Sequence, residues 1–243
     1  RNFLKRTLLV LLIIIVTLVV SVKLLSEPLP TGFTGPQADA LAMKIEQTLG
    51  KSAYDNLSQI KFSFRNHHYN WLKMENKVIV TWDEYTVHLD LNNTSVSEAL
   101  PSNLSVEAKS KLVRQATAFF YNDSYWLVAP FKFFDPGVER RLVKLDDAAD
   151  ALLITHTSGG VTPGDSYLWI VDQNGRPTSF KLWVSIIPIK GISASWEGWT
   201  MASCVQFSTQ HKLGPLAIEI TGLEVRWCIE SPKNHLVQIP SGH

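Results

Sequence analysis

The chain has 243 residues, 23 of them basic and 22 acidic, for a net charge of +1, and charged residues make up only 19% of it. Mixed signs without a basic stretch leave no electrostatic footprint for nucleic acid, so that class of partner is set aside. The two cysteines, Cys204 and Cys228, are too few for a disulfide scaffold or a cysteine-based zinc site.

Residues 7–25 read TLLVLLIIIVTLVVSVKLL, whose one charge, Lys23, stands near the end where it reaches the headgroups. At ~1.5 Å per residue this run spans the hydrocarbon of a bilayer, with Leu8, Leu12, Ile15, Leu18 and Val22 among its lipid-facing side chains. Arg1, Lys5 and Arg6 precede it and Glu27 follows, so the positive-inside rule puts the N-terminus in the cytoplasm and the rest across the membrane. The alternative is a cleaved signal peptide. Against it, the run exceeds the usual ~7–15 apolar residues and no small-x-small site follows. The expected organisation is an anchor at 1–26, a tether at 27–36 and one domain over 37–243. Three prolines and two glycines in the tether predict a short extended connection. Its reach from the bilayer is ~35–40 Å at most.

Helical spacing of Ala38, Leu41, Ala42, Ile45 and Leu49, with Gly50 as cap, predicts an amphipathic helix over 37–50. From Leu57 the period becomes two: Ile60, Phe62 and Phe64, then Val78, Val80 and Trp82, then Tyr85, Val87, Leu89 and Leu91. This is an antiparallel meander with a polar turn over 74–77. A second helix is expected over 105–121, capped by Ser105, with Leu112, Val113, Ala116, Phe119 and Phe120 as its apolar stripe. Residues 131–136 read as a loop. Strands follow at 141–145, 151–157, 166–172 and 177–185, with a tight hairpin at Gln173-Asn174-Gly175, and then at 205–213 and 216–228. The fold class is therefore α+β, an antiparallel sheet of roughly 9–11 strands with two amphipathic helices.

Three motifs add a resemblance. Tyr125-Trp126-Leu127-Val128-Ala129-Pro130-Phe131-Lys132, then Asp135-Pro136-Gly137-Val138, then Val161-Thr162-Pro163-Gly164-Asp165-Ser166-Tyr167 resemble uncharacterised bacterial exported proteins with the Lol lipoprotein-carrier fold. The resemblance covers roughly residues 37–223 and implies a curved, unclosed half-barrel with helices on its concave side. It further implies an apolar hollow that shelters acyl chains, in the periplasm at a bacterial inner membrane. The membrane helix departs from those relatives and argues against a free shuttle. Physically, Asp135-Pro136-Gly137 and Thr162-Pro163-Gly164-Asp165 are turn signals whose polar side chains satisfy nearby backbone groups.

Chemistry-bearing sets are sparse. His67-His68 point to opposite faces if they lie on a strand and read as solvated turn residues, while His88, His156, His211, His235 and His243 are scattered. Neither a metal site nor a cofactor is expected. Ser158-Gly159-Gly160 lacks the setting of a nucleophile, and Asp146, Asp147 and Asp150 read as a solvated hairpin tip. No catalytic set emerges, so the protein is expected not to be an enzyme. Cys204 and Cys228 are candidates for a disulfide, which needs Cα atoms within about 7 Å.

Aromatics are the remaining signal. Phe119, Phe120, Tyr125, Trp126, Phe131, Phe133 and Phe134 cluster in sequence, Trp82 stands on a predicted strand, and Trp71 joins them as a candidate ring. Either these rings fill the half-barrel or they line a ligand pocket or interface. Phe131, Phe133 and Phe134, on a loop after Pro130, are the candidates for exposure. Two functions follow: a membrane-tethered domain holding a lipid, acyl chain or other apolar ligand, or a non-catalytic accessory subunit of a larger membrane complex.

Overall fold

The apolar run folds as one helix, α1 (Asn2–Leu25), in a computed structural model that describes residues 2–146, 148–158 and 163–227, the side chains of residues 2–4 excepted. Its stretch Lys5–Leu25, 21 residues of mean hydropathy 3.1, is long and apolar enough to cross a membrane and none of it is buried. Leu8, Leu12, Ile15 and Leu18 are each at least half-exposed or close to it, and Val22 is partly covered.

Among the described residues the remainder is α+β, with thirteen antiparallel strands in one large open sheet and three further α-helices. Helix α2 (Pro36–Leu49) opens on a proline that suits a first helical position and stops at Gly50, whose φ of +82° only glycine adopts without strain. A short α3 (Lys51–Asp55) follows. The meander comprises β1 (Leu57–Phe64), β2 (His67–Leu72), β3 (Lys77–Trp82), β4 (Tyr85–Asp90) and β5 (Glu98–Leu100). Then come α4 (Val106–Val128), β6 (Val138–Lys144), β7 (Asp150–His156), β8 (Ser166–Val171), β9 (Pro177–Trp183), β10 (Ile192–Ser195), β11 (Glu197–Ala202), β12 (Val205–Leu213) and β13 (Leu216–Trp227).

Contacts divide the chain into two compact units. One comprises Arg1–Leu49, Tyr121–Thr200 and Phe207–Glu219, and the other Gly50–Phe120, Met201–Gln206 and Ile220–His243.

In the first unit the ladder runs β6-β7-β8-β9-β10-β12, with β11 beside β12 and the start of β13 closing on β12. Its β7 and β8 carry runs of four buried residues instead of alternating, because both faces are covered. On one face Tyr167, Trp169 and Phe180 meet rings from the end of α4 and from the chain just after it, while Arg140 pairs with Asp39 of α2 at 2.6 Å. On the other, Val143, Ala151, Leu153, Leu168 and Trp183 form one buried cluster.

In the second unit the ladder runs β5-β4-β3-β2-β1, and the later part of β13 pairs with β1, Ile220 facing Phe64. Here burial alternates along β1, β2 and β3, as the period-two pattern requires. The first part of α4 packs on this ladder through Phe120, whose ring lies 5.2 Å from Trp71.

Several expectations change. Helix α4 runs seven residues past 121, so Tyr125 and Trp126 are helical, and a 3-10 turn (Ala129–Phe131) leads into the expected loop, which reaches β6 at Val138. His67 and His68 belong to β2, not to a turn: the His67 ring stacks on Phe119 at 4.0 Å and His68 Nδ1 shares a hydrogen bond with Ser63 Oγ at 2.8 Å. Strands β2, β5, β10 and β11 were not among those expected, the last three being short or broken by glycine, and they raise the strand number among the described residues above the expected range. The capping by Ser105 stands, its Oγ accepting from Ala108 N at 3.2 Å.

Candidate functional site

The three motifs meet in the first unit around His156, a residue that spacing alone left scattered. Tyr125, on the last turns of α4, brings its hydroxyl to His156 Nε2 at 3.2 Å, and its ring lies 4.7 Å from that of Tyr167. The Asp135-Pro136-Gly137 turn closes with Val138 N donating to Asp135 O, and Thr157 N donates to Gly137 O at 2.7 Å. From the third motif, Asp165 O accepts from His156 N at 3.0 Å and Asp165 Oδ1 accepts from Ser185 N at 2.9 Å. Asp165 is 4% exposed, so its carboxylate is spent on the backbone, as the turn reading anticipated.

Burial drives the electrostatics of this junction. It lowers the pKa of His156, with Asp165 and Asp135 pulling the other way, and it pushes the phenols of Tyr125 and Tyr167 upward, assisted by Asp165. The Tyr125 hydroxyl, bonded to His156, and the Tyr167 ring in contact with both form a clamp. It ties α4 to the end of β7 and the start of β8.

The aromatic candidates are occupied by one another. In the first unit Trp126 lies 5.5 Å from Phe180 and 5.2 Å from His211, Phe131 lies 5.7 Å from Phe207, and Phe133 lies 5.3 Å from Trp169. Trp169, Phe180 and Trp196 form a mutual triangle at 4.9–5.6 Å. In the second unit Trp82 and His67 flank Phe119, and Trp71 and Tyr69 flank Phe120. The expected exposure of Phe131 and Phe133 is corrected. They are 2% and 1% exposed, because the 3-10 turn folds them inward and Glu46 Oε1 accepts from Phe133 N at 3.3 Å. Phe134 alone of the three faces outward, under the Arg140 guanidinium at 4.3 Å.

Residues 27–36 are bonded along the first unit. Glu27 N donates to Lys190 O at 2.9 Å, Trp183 Nε1 donates to Glu27 O at 2.8 Å, and Lys181 Nζ pairs with the Glu27 carboxylate at 2.7 Å. Six residues on, Phe33 and Leu142 exchange backbone hydrogen bonds at 2.9 and 2.8 Å, so the segment crosses from β9 to the edge of β6. It covers the face that carries the Val143–Trp183 cluster and shields an open strand edge. Lys181, Trp183 and Lys190 had no sequence signal for this role, since they lie more than 150 residues from the segment they hold.

A groove of about 590 Å³ lies beside α2 in the same unit, lined by charged residues such as Lys44, Lys144 and Asp172 and by apolar Leu41, Leu142 and Val171. None of the candidate rings lines it. Among the described residues no group of three or more His, Cys, Asp or Glu is placed to hold a metal ion. Asp146 and Asp150 flank the exposed β6–β7 turn as expected, and Asp150 pairs with Lys144. Cys204 is an exposed free thiol at the β11–β12 turn. Its proposed partner Cys228 lies outside the described residues, as do Asp147, Gly159, Gly160, Thr162, His235 and His243. Compared with known proteins, the sequence matches no family model and no curated protein.

Proposed function

We propose that the protein is a single-pass, membrane-fixed, non-catalytic accessory subunit of a larger membrane assembly. In this reading its N-terminus is cytoplasmic and its β-rich part lies in the periplasm of a bacterium, with a Lol-like half-barrel as the plan of the sheet. The observation that carries it is the filling of the core by its own rings: Trp169, Trp196, Phe131, Phe133, Phe180 and Phe207 are each less than 2% exposed or nearly so. Rings in mutual contact fill the space among themselves in the first unit, whereas a carrier must keep a hollow open. The docked tether supports the same reading, since a domain pinned at the end of its anchor is suited to a fixed post.

A second reading, a domain holding a lipid or other apolar ligand, draws on the groove beside α2. Its lysines and carboxylates suit a polar headgroup better than a chain. Native mass spectrometry of the full-length protein in mild detergent, with lipid extraction, tests both. The subunit reading expects a co-purifying assembly and a domain free of stoichiometric lipid. A monomer carrying one bound lipid would overturn it.

A further inference from the structure

We infer that the loop of residues 185–190 is a second membrane contact, which inserts Ile186 into the headgroup layer beside the end of α1. This inference rests on the membrane-anchored reading of α1. The segment reads Ser185-Ile186-Ile187-Pro188-Ile189-Lys190, three isoleucines and a proline in six residues of the β9–β10 connection. Connections that face water are ordinarily polar. Ile186 is 72% exposed, among the most exposed large apolar side chains outside α1.

Its one charge is turned inward. Lys190 Nζ donates to the carbonyls of Val184 and Ile187, the latter at 3.0 Å, so the ammonium closes the loop from within and leaves its tip apolar. Ser185 N, bonded to buried Asp165, fixes the other end. The loop is thus a braced knob and not a loose strand of chain.

Its position follows from the anchor. Lys190 N donates to Ser26 Oγ at 3.0 Å, and that hydroxyl donates to Val22 O in the last turn of α1 at 2.6 Å. Glu27 N returns a bond to Lys190 O, and Gly191 lets Glu27 approach so closely that an added Cβ would meet the Glu27 Cβ at 2.7 Å. Leu24 and Leu25, the last helical residues, are 81% and 64% exposed beside it. When α1 spans a bilayer, its end lies in the interfacial region, and a loop bonded to the next residue is held there too. A side chain four residues away needs to enter only ~5–10 Å to reach the acyl boundary. Partial burial of an isoleucine there contributes favourably at no cost in ordering, because the loop is already braced.

The test uses full-length protein in a Cys204→Ser, Cys228→Ser background, labelled with an environment-sensitive fluorophore at one introduced cysteine. Ile186→Cys is compared with Leu12→Cys, inside α1, and with Asn174→Cys, at the opposite end of β9. The proteins are reconstituted in vesicles of zwitterionic and anionic phospholipid, with and without lipid carrying a nitroxide near the headgroup or deeper in the chain. The expected result is quenching of about twofold or more at 186 by the shallow nitroxide, quenching at 12 by the deep one, and none at 174. Quenching at 12 with position 186 open to aqueous iodide overturns the loop contact and leaves the anchor standing. No quenching at 12 overturns the anchor, and this inference with it.

Discussion

The indole of Trp183 donates to the backbone carbonyl of Glu27 at 2.8 Å, joining residues 156 apart in sequence and fastening the tether to the end of β9. Further along the same segment, a Cβ on Gly32 would lie 2.8 Å from Leu142 O and 2.9 Å from Val143 Cγ2. The first of these atoms is backbone of a paired strand and cannot yield. Gly32→Val is therefore expected to undock the tether at a cost of about 1–3 kcal/mol. Limited proteolysis should cut residues 27–36 of the variant much faster than those of the parent protein. Equal rates would show that docking does not depend on this approach.

Trp196 touches Trp169, Phe180, Trp199 and His211 and is 2% exposed, so its truncation empties the centre of the ring cluster. Trp196→Ala should cost about 3–5 kcal/mol, read as a lower urea midpoint. A cost under about 1 kcal/mol would mean that the site collapses or was never tightly filled.

His211 is 2% exposed, and burial pushes its pKa down from 6.5 to about 4. Its Nδ1 lies 3.0 Å from Ser195 O, which can only accept, so the imidazole is neutral with its proton on that nitrogen. Below its ordinary value the unfolded chain binds a proton that the folded chain refuses. Stability is complete above about pH 6.5 and falls as pH drops toward about 4, by up to about 3 kcal/mol from this residue. His156, shifted in the same direction, adds to the slope. Urea titrations across this range should show the loss, and His211→Asn should flatten part of it.

Ser203 and Cys204 have φ of +50° and +62° and form the two-residue connection between β11 and β12. Two successive positive φ angles are the signature of a type I′ hairpin turn, which Asn-Gly adopts at least cost. The double variant Ser203→Asn, Cys204→Gly is expected to gain about 1–2 kcal/mol and to remove an exposed thiol. A higher urea midpoint confirms it, and an unchanged one refutes the strain.

The outline of this protein lies in local patterns. The uninterrupted apolar run makes α1 whatever follows it, Gly50 ends α2, period two sets the meander from Leu57, and the Gln173-Asn174-Gly175 turn joins β8 to β9. These features depend on sterics and hydropathy within one turn or one strand pair, so a short window of residues contains their cause. Much of the candidate site does not. Whether Phe131 and Phe133 point out or in, where residues 27–36 go, and why the motifs surround His156 depend on partners from 20 to more than 150 residues away. Aromatic composition announces a large apolar area to bury, but only packing in three dimensions assigns each ring its neighbours, because burial is proportional to area removed from water and is indifferent to order along the chain.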